Sequence, residues 1–250
     1  MKNGMILAAA GALCALAGSA NAAAFLTFLD PAGAREVSYV APVGNGTFGT
    51  LTATATVDFQ IDLTDHGLGV VVFQNVTYTK TAKVGNVTMQ GSAFRAEVFD
   101  ATFSYTDGAN SILTGSFGTG AGGTANGGDM FLNGLSGSIS SNADAIGGSL
   151  SYTFGSAPIQ AGNPGAGFDL NALLASASLA FGAAIDGNWT ITGINKRPSI
   201  FEGGDGLMYL RSFDSNAAFS GTVDIVPTPG TAALASIGLL MGLPRNRRKA

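Results

Sequence analysis

The stretch TVDFQIDLT, residues 56–64, sets apolar Val57, Phe59, Ile61 and Leu63 against polar Asp58, Gln60 and Asp62. Alternation with a period of two is what a strand with one buried and one wet face requires, because successive side chains leave the backbone on opposite sides. The same signature recurs along the chain. GVVVFQNVTYT (69–79) begins as a continuous apolar run and then alternates, and FRAEVFDATFSY (94–105) is rich in aromatics. Further strands are expected in REVSYVA (35–41), SILTGSFG (111–118), MFLNGLSGSIS (130–140), GSLSYTFG (148–155), NWTITGI (188–194), LMYLRSF (207–213) and AAFSGTVDIV (217–226). Between them lie TDGAN, TANGGD and EGGDG, whose glycine, asparagine and aspartate favour turns. Short strands about ten residues apart, separated by glycine turns, predict an all-β body of the β-sandwich or jelly-roll-like kind.

One segment departs from this period. In FDLNALLASASLAFGAA (168–184), Asp169 offers an N-cap and Leu170, Leu173, Leu174 and Ala177 follow at helical spacing. The second half alternates well enough for a strand, but a short helix is the expectation. The glycine-rich residues 115–129 read as a long flexible loop. A loose echo of a hydrophobic residue followed by a Gly-Ser or Ser-Gly step recurs in LTGSFG, LSGSIS, LSYTFGS and FSGTVDI. Small residues on outward strand faces explain it better than an internal duplication.

Both ends of the chain read as addresses. Lys2 precedes a short apolar core at residues 6–17, and Ser19, Ala20, Asn21 and Ala22 supply an Ala-x-Ala cleavage site. This is a secretory signal, residues 1–22, so the mature chain begins at Ala23. The core is too short to span a bilayer comfortably. The sole cysteine, Cys14, falls inside it and follows Leu13, which does not suit lipidation. A mature chain without cysteine has no disulfide, zinc–thiolate site or cysteine nucleophile. Its stability must come from the core that about 200 residues can build.

The chain holds 12 Lys and Arg against 16 Asp and Glu. Lys2 and the tail cations Arg245, Arg247, Arg248 and Lys249 account for five of the 12, leaving 7 against 16, or −9, for the body. An acidic body argues against nucleic-acid binding, which needs a basic footprint.

Signals for chemistry within the body are sparse. His66 is the only histidine, and there is no G-x-S-x-G elbow to partner it and no multi-histidine set for a metal. Glu97, near Asp100, is the acid best placed for glycoside hydrolysis, which needs two carboxyl groups across a cleft. Asp58 and Asp62 share a strand face about 13 Å apart, too far for one metal ion. Calcium is the ion that the composition best accommodates. NGGDMFLNG and EGGDGLM resemble calcium loops without matching their spacing. Asn45, Asn75, Asn86 and Asn188 fall in Asn-x-Ser/Thr sequons, at a frequency chance explains. No Gly-Lys-Ser/Thr phosphate loop occurs. Trp189, Tyr105, Tyr152 and Tyr209 could stack on sugar rings, with core packing as the default.

The C-terminal residues 226–250, VPTPGTAALASIGLLMGLPRNRRKA, carry a Pro-x-Pro break, an apolar stretch and a basic cluster in that order. The apolar residues 231–243 would make a helix of about 20 Å, short for a hydrocarbon core of about 30 Å. They lack a polar face, include Gly238 and Gly242, and end at Pro244, which suits a core helix poorly. A detachable segment held briefly in a membrane by its arginines explains these features together. The tail resembles the PEP-CTERM sorting signal of bacterial exported proteins. Pro227, Pro229 and Gly230 match its motif, with Thr228 where glutamate is usual, and Arg245, Arg247, Arg248 and Lys249 match its basic cluster.

That resemblance implies a Gram-negative-type host and a transient inner-membrane precursor. It also implies cutting by an exosortase-type peptidase and release to the surface or matrix, often with exopolysaccharide and biofilm. The expectation is therefore a non-enzymatic surface or matrix protein. It would have a signal peptide (1–22), a secreted β-sandwich (23–225) and a sorting and anchor segment (226–250). A carbohydrate-binding module is the alternative, and a secreted glycoside hydrolase a more distant one.

Overall fold

The computed structural model describes residues 23–29, 35–118, 128–142 and 150–228. The signal segment, most of the sorting tail and the centre of the glycine-rich loop fall outside them.

Alternation becomes structure most plainly in β3 (Gly49–Leu63), where every second side chain from Leu51 to Leu63 is buried. It leads through a 3-10 turn, Thr64–His66, into β4 (Gly69–Gln90), which pairs back along β3 from Gly69↔Leu63 to Val84↔Gly49. β5 (Ala93–Asp107) then runs antiparallel to β4. These strands outlast a regular pleat, and bulges absorb the excess twist. Asn75 and Asp100 take positive φ (56° and 47°) beside two of the register shifts.

The other edge of β5 has two partners. Residues Ala101 to Asp107 pair with β6 (Asn110–Phe117), which pairs with β9 (Ser151–Phe154). Residues Phe94 to Val98 pair with β7 (Gly128–Asn133). A two-residue turn with Gly134 at positive φ leads from β7 into β8 (Ser136–Asn142). The expected single strand over 130–140 is thus a hairpin. The expected long loop at 115–129 is shorter at both ends, because Gly115 to Phe117 finish β6 and Gly128 and Asp129 begin β7.

β8 pairs with β10 (Leu179–Thr192), and β10 pairs with β13 (Phe213–Pro227). β1 (Ala23–Leu29) and β2 (Val37–Val40) fill the slot between β13 and β3 end to end, each pairing with both neighbours. The pairings therefore return to their start, and eleven strands form one closed sheet. β11 (Ile200–Glu202) and β12 (Met208–Leu210) form a separate hairpin. The all-β class is what the chain adopts.

Helix α1 (Leu170–Ser176) is the helix expected there, with Ala172 N donating to Asp169 Oδ1 at 2.7 Å. Ser178, at φ 61°, ends that turn, and the alternating second half of the segment becomes the start of β10.

The inward side chains make one aromatic-rich core. Phe59 stacks on Tyr105 (centroids 4.3 Å), Tyr105 lies 5.0 Å from Tyr78, and Trp189 touches Phe103, Phe117 and Phe219 at 5.0–5.2 Å. Lys80 occupies an inward position among them, 3% exposed, its Nζ 3.4 Å from the centre of the Trp189 ring and without a hydrogen-bond partner among the described residues.

Candidate functional site

The outward faces of β3, β4, β5, β6 and β9 carry hydroxyls that the antiparallel register aligns into rows. One row runs Thr54, Thr79, Ser104, Thr114, Thr153. The next runs Thr52, Thr81, Thr102, Ser116, Ser151, and a shorter one Thr56, Thr77, Thr106, Ser111. Neighbouring strands are about 4.8 Å apart and alternate residues about 6.6 Å, so the face is a mesh of hydroxyls at those spacings. Cross-strand hydrogen bonds tie it together: Thr79–Ser104 at 2.8 Å, Thr81–Thr102 at 3.0 Å and Ser116–Ser151 at 2.9 Å. An open groove of about 380 Å³ follows the two longer rows over β4, β5, β6 and β9.

The mesh itself is uncharged. At the β3–β5 end the ion pair Lys83–Asp100 (2.7 Å) borders it, with Lys83 Nζ 4.7 Å from the Phe48 ring. At the other end Asp58 accepts the backbone N–H of the bulge residue Asn75 at 2.9 Å. Each hydroxyl both donates and accepts, which suits hydrated polyhydroxyl partners. Sequence reasoning did not assemble this face. Its signal was present in TLTATAT, TYTKT and ATFSYT, where Thr or Ser recurs at every second position.

Glu97 lines a second open groove, of about 360 Å³, with Arg95, Asp129, Asn86 and Thr88. Partial burial raises its carboxyl pKa above the ordinary range. Its cross-strand neighbour Asp129 is held by Arg95 Nε at 2.7 and 2.9 Å. Asp100 does not line this groove and is bound to Lys83. The structure thus does not bring Glu97 and Asp100 to one cleft.

Asp62 accepts from Thr64 N at 2.9 Å; the Thr64 side chain first and this backbone N–H second lower its pKa, and His66 lies in the adjoining 3-10 turn. In EGGDGLM, Asp205 accepts from the Tyr209 hydroxyl (2.6 Å) and Leu207 N (3.0 Å), so the chain itself occupies that carboxylate. Among the described residues no three His, Cys, Asp or Glu side chains gather as a metal site would require. Trp189, Tyr105 and Tyr209 are buried in the core or under the hairpin, and Tyr152 is half-buried, its hydroxyl donating to Asp186 O. They form no sugar-stacking platform.

Of the sorting motif, Pro227 ends β13 opposite Leu179, and Thr228 N donates to Ser178 O at 3.0 Å. β13 therefore continues two residues past the expected boundary at 225. Pro229, Gly230, Arg245, Arg247, Arg248 and Lys249 lie outside the described residues. Among the described residues no helix is long and apolar enough to cross a membrane. No protein-family model, curated protein or solved structure matches the chain.

Proposed function

We propose that this chain is an exported cell-surface or extracellular-matrix protein. Its body is a non-enzymatic, structural all-β domain of the β-sandwich kind, and its hydroxyl-lined face contacts exopolysaccharide. The precursor is held in the inner membrane by residues 231–243 and the cluster Arg245, Arg247, Arg248 and Lys249. An exosortase-type peptidase cuts it near Pro227, Thr228, Pro229 and Gly230.

The observation that carries this reading is where the two motifs meet the sheet. Ala23, the residue after the Ala-x-Ala site, is already paired with Asp224, and the last strand ends at Pro227, the first residue of the sorting motif. A cut after Ala22 and another after Thr228 would leave every described strand in place. A carbohydrate-binding module is a second reading, favoured by the groove along the hydroxyl rows rather than by aromatic stacking.

Cell fractionation with a tail variant tests the sorting. The unaltered protein is expected in the surface and matrix fraction. A variant with Arg245, Arg247, Arg248 and Lys249 replaced by glutamine is expected to lose membrane retention and correct processing. Equal surface delivery of both would refute the role given to the basic cluster.

A further inference from the structure

Seven cations lie in the body, and the fold uses three of them internally. Lys80 is in the core, Lys83 pairs with Asp100, and Arg95 pairs with Asp129. The other four, Arg35, Lys196, Arg197 and Arg211, enter no ion pair among the described residues. The fold gathers three of those four at one place. Lys196, Arg197 and Arg211 line one small cavity of about 70 Å³ together with Ser199 and Ser212. The backbone N–H of Arg211 donates to Ser199 O at 2.8 Å, which joins the 196–199 loop to the start of β13. Arg35 Nε donates to Gly193 O (3.3 Å), three residues before Lys196 and so within about 10 Å of it along the chain.

Two acids near this end, Asp214 and Asp205, form hydrogen bonds to neutral donors and no ion pair with these cations among the described residues. Asp214 Oδ2 accepts from Asn195 Nδ2 at 2.7 Å, and Asp205 is held by Tyr209 and Leu207. Arg211 is braced over the Phe201 ring at 5.5 Å.

We propose that this basic corner is a binding site for carboxylated polysaccharide, one uronate carboxylate seated among Arg197, Arg211 and Lys196. The proposal rests on the matrix reading above and adds to it a ligand class and a site. A sparse polyanion, with at most one charge per sugar, fits three clustered cations on a body of net charge −9. A duplex carrying one charge per about 1.7 Å would press its remaining phosphates against that acidic surface.

The test uses the protein as it is recovered from cells and their matrix, freed of any uncut species that retains the tail, with polygalacturonate, neutral dextran and double-stranded DNA as probes. Binding to polygalacturonate but not to dextran is expected, and it should weaken steeply from low to 0.5 M salt. R197A/R211A should weaken it by roughly tenfold or more, since hydrogen bonds to charged groups are each worth about a factor of ten. R95A should leave it unchanged, and unaltered thermal melts of the exposed-site variants exclude misfolding. Three results would overturn the proposal: no polygalacturonate binding, binding indifferent to R197A/R211A, or DNA bound more tightly through the same arginines. A protein that reaches the matrix fraction yet ignores polygalacturonate sinks this proposal alone. One that binds through Arg197 and Arg211 but stays inside the cell sinks the matrix reading instead.

Discussion

Lys80 stands where an apolar residue would serve the core better. Its Nζ has two aromatic faces, Trp189 at 3.4 Å and Phe117 at 5.2 Å, and no hydrogen-bond acceptor among the described residues. Cation–π attraction offsets part of the cost of burying a charge, but desolvation dominates and holds the ammonium pKa well below its ordinary value. The unfolded chain titrates near the usual lysine value of about 10.4. Between the depressed native value and that point, the unfolded state holds a proton that the native state lacks, so stability rises with pH across the window. Burial raises the pKa of Tyr78 and Tyr105, which acts in the opposite sense above about pH 10. K80M is therefore expected to raise stability at pH 7 by about 1–3 kcal/mol, the usual cost of an unpaired buried polar group. It should also flatten the rise between neutral pH and about 9.5, as read from chemical denaturation at several pH values. An unchanged midpoint with the same slope would contradict the account. Parity along β4 already signalled this position, since Lys80 falls in step with Val76, Tyr78 and Ala82. What sequence alone could not supply was the absence of any partner across the core. The glycines of the recurring Gly-Ser echo have a similar explanation. A Cβ at Gly115 would lie 2.1 Å from the Phe103 ring, and one at Gly221 would lie 2.6 Å from the Tyr152 hydroxyl. Steric fit at each site accounts for these glycines, with no duplication needed.

Among the elements, strands whose two faces differ were legible, and those ended by long-range events were not. β3 and β13 alternate cleanly and follow their sequence pattern. The bulges at Asn75 and Asp100 arise where long paired strands must shed twist, which no local pattern records. The segment 168–184 supported helix and strand at once because both are present, divided at Ser178. Helix α1 is only seven residues long, below the length that stands alone in water, so its cap and its packing through Leu170, Leu173 and Leu174 must hold it. Asp169→Ala leaves Ala172 N without its acceptor and should cost about 1 kcal/mol of stability, within the usual 0.5–2 kcal/mol range for lost caps. A denaturation midpoint indistinguishable from that of the unaltered protein would show the cap to be unimportant.

At the scale of the molecule, closure is the feature that the sequence could least reveal. β1 joins β13 across nearly 200 residues, from Ala23↔Asp224 to Phe28↔Phe219, so the two ends of the body zip the sheet shut. Ala23 and Pro227, at the two address-like motifs, both belong to paired strands of that sheet. The basic corner was equally hidden, because Arg211 is returned to Lys196 and Arg197 by the hairpin between them, through the Arg211 N–Ser199 O bond, which no local pattern records. The most direct test of the central claim is the intact mass of the protein recovered from surface or matrix material. The account predicts a single species beginning at Ala23 and ending between Pro227 and about Gly230. A species that retains Met1, or that carries the tail through Ala250, would contradict it.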